Sequence, residues 1–147
     1  VQAATSGFAT NTAPCFDYLR SMRPIKENDV RIVILSDATY SMDDLWDASR
    51  NHFKEMLSRI EEISGDTQPI NVMWVAYRDY DRVGSTETPL LESSGWSSDA
   101  ATLIRFVGKI TCIGGGDGPE AIEQALKFVN ELDLKPSRVL LFGDAPP

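Results

Sequence analysis

The stretch from Arg31 to Asp44 reads RIVILSDATYSMDD, and its reading decides the fold class. Ile32, Val33, Ile34 and Leu35 follow one another without a polar interruption, as in a strand buried on both faces. The chain then changes period. From Met42 to Ser64 the apolar residues Trp46, Phe53, Met56, Leu57, Ile60 and Ile63 recur at helical spacing, with Glu55, Arg59 and Glu61 between them. A buried strand feeding a long amphipathic helix is the opening unit of a parallel sheet covered by helices.

Working outward, Gly65 and Asp66 end that helix, and Ile70 to Tyr77 reads as a second strand. Asp79 to Ser98 is polar and punctuated by Gly84, Pro89 and Gly95, so a loop is expected there with a short edge strand at Leu90 to Glu92. Ser98 or Asp99 can cap a helix carrying Ala100, Leu103, Ile104 and Val107 on one face. Pro119 to Leu132 carries Ile122, Ala125, Leu126 and Val129 in the same manner, and Arg138 to Phe142 is another short apolar run. The expected class is α/β, a doubly wound and mostly parallel sheet with helices on both faces. Residues 1–28, rich in Ala, Thr, Ser and Asn, read as an N-terminal arm or linker, and residues 29–147 as the domain. Because the sequence stops directly after a strand-like run, the domain is expected to be incomplete at its C-terminus. Its last strand should then leave an open edge that more chain, or another chain, covers.

Composition narrows the chemistry. The 147 residues hold 14 Lys plus Arg against 22 Asp plus Glu, a net charge of −8, with 42% hydrophobic residues. Such a chain can bury a core, which argues against intrinsic disorder, and it repels nucleic acid and anionic lipid. No apolar run approaches the roughly 18 residues that suggest a membrane-spanning helix. One histidine, His52, and two cysteines, Cys15 and Cys112, cannot build a four-cysteine or two-cysteine, two-histidine zinc site, so any metal must be held by oxygen. The cysteines read as two reduced thiols. That leaves the compartment open while leaning to a cytoplasmic over an extracellular one.

Oxygen ligands cluster where the strands end. Asp37-Ala38-Thr39-Tyr40-Ser41 puts a carboxylate and two hydroxyls at alternate positions, hence on one side of the chain. Gly114-Gly115-Gly116-Asp117-Gly118 precedes Pro119 and Glu120, and Gly143-Asp144-Ala145-Pro146 ends the last strand. In α/β sheets ligands bind beyond the carboxyl ends of the strands, and hard divalent cations, Mg²⁺ above all, take such oxygen donors while keeping waters. Singly, the acids have plainer uses. Asp43 and Asp44 suit a helix first turn, and Asp117 with Glu120 three residues on has capping-box spacing. The glycines match neither nucleotide-binding fingerprint. Tyr40, Trp46 and Trp74 are expected to pack and His52 to be solvated, while Asp79 and Asp81 at the end of the second strand read as a solvated loop or, on a sharper reading, as a second source of metal ligands.

Taken together, these motifs carry a resemblance. Asp37-Ala38-Thr39-Tyr40-Ser41 is similar to the D-x-[ST]-x-S motif of von Willebrand factor A domains, including the I-like domain of integrin β chains. With Tyr77-Arg78-Asp79, Gly114 to Glu120 and Gly143-Asp144-Ala145-Pro146-Pro147 in the same order, the chain most resembles A domains linked to α-kinases. The resemblance implies a metal-ion-dependent adhesion site. Thr39 and Ser41 would give hydroxyl oxygens, Asp37 and Asp144 would bind directly or through water, and Glu120 or Asp117 would approach from the third loop. The implied cofactor is Mg²⁺, with Mn²⁺ or Ca²⁺ as alternatives, and the implied partner is another protein presenting an acidic residue. The implied function is binding without catalysis. Many A domains have Thr in the third loop, so Asp117 and Glu120 side with the integrin β pattern, whereas the pair Asp43-Asp44 falls one residue closer to Ser41 than in that pattern. Two other readings compete: a structural A-type domain whose metal site is not used, and a haloacid-dehalogenase-like phosphotransferase. The latter needs a second Asp where Thr39 stands.

Overall fold

The structure is a computed structural model that describes residues 24–64, 68–116 and 121–144. Among the described residues, four strands and three helices follow in the order β1 (Val30–Asp37), α1 (Asp43–Ile63), β2 (Ile70–Tyr77), β3 (Leu91–Ser97), α2 (Ala100–Val107), α3 (Ile122–Glu131) and β4 (Arg138–Phe142). Short 3₁₀ turns at Tyr40–Met42 and Tyr80–Arg82 follow β1 and β2. The sheet order is β3-β2-β1-β4. β1 pairs in parallel with β2, Val30 opposite Ile70 through Asp37 opposite Tyr77, and in parallel with β4, Ile32 opposite Arg138 through Ser36 opposite Phe142. β3 is antiparallel to β2, with a register shift between Met73 and Val75.

The unbroken apolar run of β1 is buried on both faces. On one side Ile34 packs with Trp74, Trp46, Phe53, Leu57, Leu103 and Val107, so α1 and α2 cover that face. On the other, Val33 and Leu35 pack with Met73, Val75, Ala125 and Val129 beneath α3. Helices therefore cover both faces, as expected from the alternation of strands and helices. The first core is centred on aromatic rings. Phe53 lies 4.9 Å from Trp74 and 5.7 Å from Phe142 between ring centroids, and the Trp74 indole N–H donates to Ser36 Oγ at 2.7 Å.

Several local expectations change. The edge strand expected at Leu90 to Glu92 is the seven-residue β3, antiparallel, and it was obscured because Glu92, Ser93, Ser94 and Ser97 give it a polar composition. Ser94 Oγ accepts from Trp74 N at 2.9 Å near the register shift, so a hydroxyl replaces a ladder carbonyl. Ile63 and Leu126, assigned to apolar faces, are exposed: Ile63 is the last residue of α1, and Leu126 lies off the side of α3 that buries Ala125 and Val129. Of the two candidates for capping α2 it is Asp99, whose Oδ2 accepts from Thr102 N at 2.8 Å. Cys112 is a buried free thiol, while Cys15, Gly65, Asp66, Asp117, Pro119 and Glu120 lie outside the described residues. Among the described residues no helix is long and apolar enough to cross a membrane.

Candidate functional site

The strand order reverses between β1 and β4, since the chain runs from β1 to β2 on one side and returns to β4 on the other. Loops leaving such a switch point part and open a crevice at the carboxyl ends of the strands. Asp37 ends β1, and Asp144 follows the end of β4.

From Asp37 the side chains form one connected row. Asp37 Oδ1 accepts from the Thr39 backbone N and from Thr39 Oγ1, both at 2.8 Å. Thr39 Oγ1 lies 3.1 Å from Ser41 Oγ, which donates to Asp144 Oδ1 at 3.1 Å. The alternation D-x-T-x-S thus does put three oxygens on one side, and the fold brings the fourth from 103 residues away. The row runs from the interior outward, with Asp37 and Thr39 fully buried and Ser41 and Asp144 exposed. Asp37 Oδ2 is buried without a hydrogen-bond partner among the described residues. An ionised oxygen left so in a folded interior is costly unless a proton, a donor or a cation meets it.

The site loop is held from two sides. Ala38 N donates to Tyr77 O at 2.8 Å, and Ala38 O accepts from Ile113 N at 2.9 Å. Tyr40 N donates to Gly114 O at 3.0 Å. Gly114 and Gly115 have φ of +89° and +92°, and a Cβ on Gly115 would stand 3.1 Å from Thr39 Cβ. The glycine run therefore permits close approach to the site loop in a backbone conformation that L residues rarely adopt. A Cβ on Gly143 would stand 2.7 Å from the Tyr77 hydroxyl and 3.4 Å from Asp37 Cβ, so this glycine lets the chain leaving β4 lie against both side chains.

Among the residues proposed from sequence, Asp37, Thr39, Ser41 and Asp144 come together, and Asp117 and Glu120 lie outside the described residues. Among the described residues no group of three or more His, Cys, Asp or Glu side chains could hold a metal ion. The oxygen donors of the row are two carboxylates, Asp37 and Asp144, and two hydroxyls, Thr39 and Ser41. Tyr40, expected to pack, is 72% exposed beside Ser41. Asp79, expected in solvent, is buried, with Oδ1 accepting from Tyr80 N at 2.5 Å and Oδ2 without a partner among the described residues. An open cleft of about 460 Å³ lined by Met42, Leu45, His52, Phe53, Leu141 and Phe142 flanks the row, one residue from Ser41.

From sequence, Arg78 enters only within Tyr77-Arg78-Asp79 and has no role there. It is fully buried, and its guanidinium bonds the carbonyls of Pro89 and Thr111 and pairs with Glu92 Oε1 at 2.8 Å. The signal was present as an arginine directly after an apolar strand, with a glutamate on the next strand, but sequence alone does not show that a charge is buried.

No family model matches the chain. It is 32% identical over 118 residues to a protein of Acanthamoeba polyphaga mimivirus named for an ariadne-like RING finger, covering 80% of this chain and 11% of that one. The chain thus spans about a tenth of that relative's length. Among solved structures it is similar to the vWF domain of the type V pili tip protein Mfa5 from Porphyromonas gingivalis, at TM-score 0.52 and 14% identity, covering 80% of this chain and 37% of that one. It is also similar to the pilus adhesin SpaC from Lactobacillus rhamnosus GG in its open conformation, at TM-score 0.57 and 18% identity, covering 83% of this chain and 15% of that one. The fold is that of a von Willebrand factor A-like α/β domain.

Proposed function

We propose that this domain is a metal-dependent protein-binding module, with Asp37, Thr39, Ser41 and Asp144 holding Mg²⁺ at the crevice. Asp117 or Glu120 is the further donor from the third loop. One observation carries the reading: four oxygen side chains from two strand ends stand in a single hydrogen-bonded row, and its buried end, Asp37 Oδ2, has no partner among the described residues. The donor set fits a hard cation, and Mn²⁺ or Ca²⁺ would use the same oxygens. When bound, the cation supplies an electrophilic centre for an incoming carboxylate oxygen, since neutral hydroxyls quench its charge less than carboxylates do.

Each side chain then has a defined task. Thr39 is fixed by its two bonds to Asp37 and orients Ser41, while Ser41 links the β1 and β4 loops through Asp144. Exposed Tyr40 stands beside the crevice and can select among partners. The partner is another protein presenting an acidic residue. The net charge of −8 opposes its approach, so association should be slow and should quicken with added salt. Adhesin domains among the structural neighbours are consistent with a binding role. A non-enzymatic role also agrees with Thr39 standing where a phosphotransferase of the haloacid-dehalogenase type needs its second Asp.

The test is titration calorimetry with Mg²⁺ and Mn²⁺. Asp37→Asn keeps an acceptor for Thr39 but removes the charge, so cation affinity should fall at least tenfold while the fold persists. Ser41→Ala should weaken it too. Equal affinity in Asp37→Asn and the parent chain would sink the reading. Asp37-dependent hydrolysis of phosphate esters would replace it with the enzyme.

A further inference from the structure

We propose that Arg78 is the positioning residue of this site, setting its cation affinity by fixing the glycine-rich loop against Thr39. The inference rests on the metal-site reading above, and Arg78 itself touches none of the four site residues in the bonds described.

Arg78 gathers four segments. Its Nε and Nη2 both donate to Thr111 O, at 3.2 and 2.9 Å, its Nη1 donates to Pro89 O at 2.8 Å, and Nη2 pairs with Glu92. Its backbone N donates to Leu90 O at 2.9 Å, and its backbone O accepts from Ala121 N at 3.2 Å. Thr111, ahead of the glycine run, is thus held by the guanidinium, and Ala121 by the carbonyl of the same residue. Two residues past Thr111, Ile113 N bonds Ala38 O. Gly114 O then takes Tyr40 N, and Gly115 approaches Thr39. Among the described residues Thr39 is the side chain that bonds both Asp37 and Ser41, so a shift of this loop moves the middle of the row.

The chemistry requires a guanidinium. Two N–H groups converge on one carbonyl while a third points to another, a planar fork that an ammonium on a flexible stem does not reproduce. Burial makes the arrangement stiff, because each N–H released from its carbonyl would be left without water. Glu92 supplies the balancing charge from β3.

The test uses the whole chain and Mn²⁺ alone as probe, counting free ion by electron paramagnetic resonance at a temperature where circular dichroism shows every variant folded. Arg78→Lys should bind Mn²⁺ at least tenfold more weakly and lose amide-exchange protection at Tyr40 and Ile113. Leu103→Ala, a core truncation on the α2 side, should lower the melting temperature with affinity changed less than twofold. If Arg78→Lys does not fold, Glu92→Gln loosens the guanidinium without removing it, and a threefold or greater loss is expected. Parent-like affinity in the folded variant overturns the proposal, as does an equal loss in Leu103→Ala, which would show that affinity merely follows stability. Failure of the parent chain to bind Mn²⁺ overturns the metal site itself, and the proposal with it.

Discussion

Cys112 illustrates what a buried residue next to an acidic crevice experiences. Burial first, and then the Asp43 carboxylate, push its thiol up from the usual 9.0 to about 11. The folded chain thus keeps a proton that the unfolded chain gives up sooner. The sign follows: this contribution to stability is complete below about pH 9 and is lost as pH rises through about 11. Urea unfolding of the parent and of Cys112→Ala across that range should show the stability difference between them shift in favour of the alanine variant as pH rises. A difference independent of pH would contradict it. The thiol should also resist alkylation at pH 8 in the folded chain. At this scale the site was partly legible. Asp37, Thr39 and Ser41 could be read because they are contiguous, and alternation alone puts them on one side. Arg78 and Asp79 could not, because the sequence shows their charge and not their burial.

Elements were legible in proportion to how completely they are buried. β1 is apolar throughout its centre because helices cover both its faces, and α1 carries a regular apolar stripe because one side meets the aromatic core. Among the described residues β3 is an edge strand with one neighbour, so serines serve where a central strand would need Val or Ile, and its pattern resembles a loop. Helix starts were legible where a side chain does the capping. Asp99 Oδ2 accepts from Thr102 N and also bonds Thr102 Oγ1, so α2 begins at a well-defined point. Asp99→Ala should cost about 1 kcal/mol, and Asp99→Asn less, because the amide oxygen still accepts. Chemical denaturation of the two variants measures both, and an Asp99→Ala chain as stable as the parent would mean that solvent caps α2 as well as the side chain does.

Across the whole molecule, β4 is the element whose surroundings differ most from its sequence. Its apolar run suggested burial, yet Val139, Leu140 and Leu141 are 42, 39 and 51% exposed. Successive strand residues point to opposite faces, so among the described residues both faces of the sheet are only partly covered at this margin. Among the described residues β4 has β1 on one side and no strand on the other. Exposed Leu45 and the cleft lined by Phe53, Leu141 and Phe142 extend the apolar surface onto α1. Fully burying one such side chain stabilises by about 1.5–3 kcal/mol, and three half-buried ones leave a few kcal/mol available to whatever covers them. Backbone groups on the side of β4 that no described strand pairs add a template for pairing. The 147-residue chain should therefore associate with itself through β4 at high micromolar concentration, and Leu141→Lys, which places a charge on the most exposed of the three, should return it to a monomer without loss of melting temperature. Sedimentation equilibrium on the two chains decides the matter. A parent that stays monomeric, or a Leu141→Lys chain that associates equally, would place the sticky surface elsewhere. Because Asp144 lies two residues beyond the end of β4, the same measurement repeated with Mn²⁺ tells whether pairing at this edge is felt at the crevice: coupled sites must shift each other's affinity by the same factor.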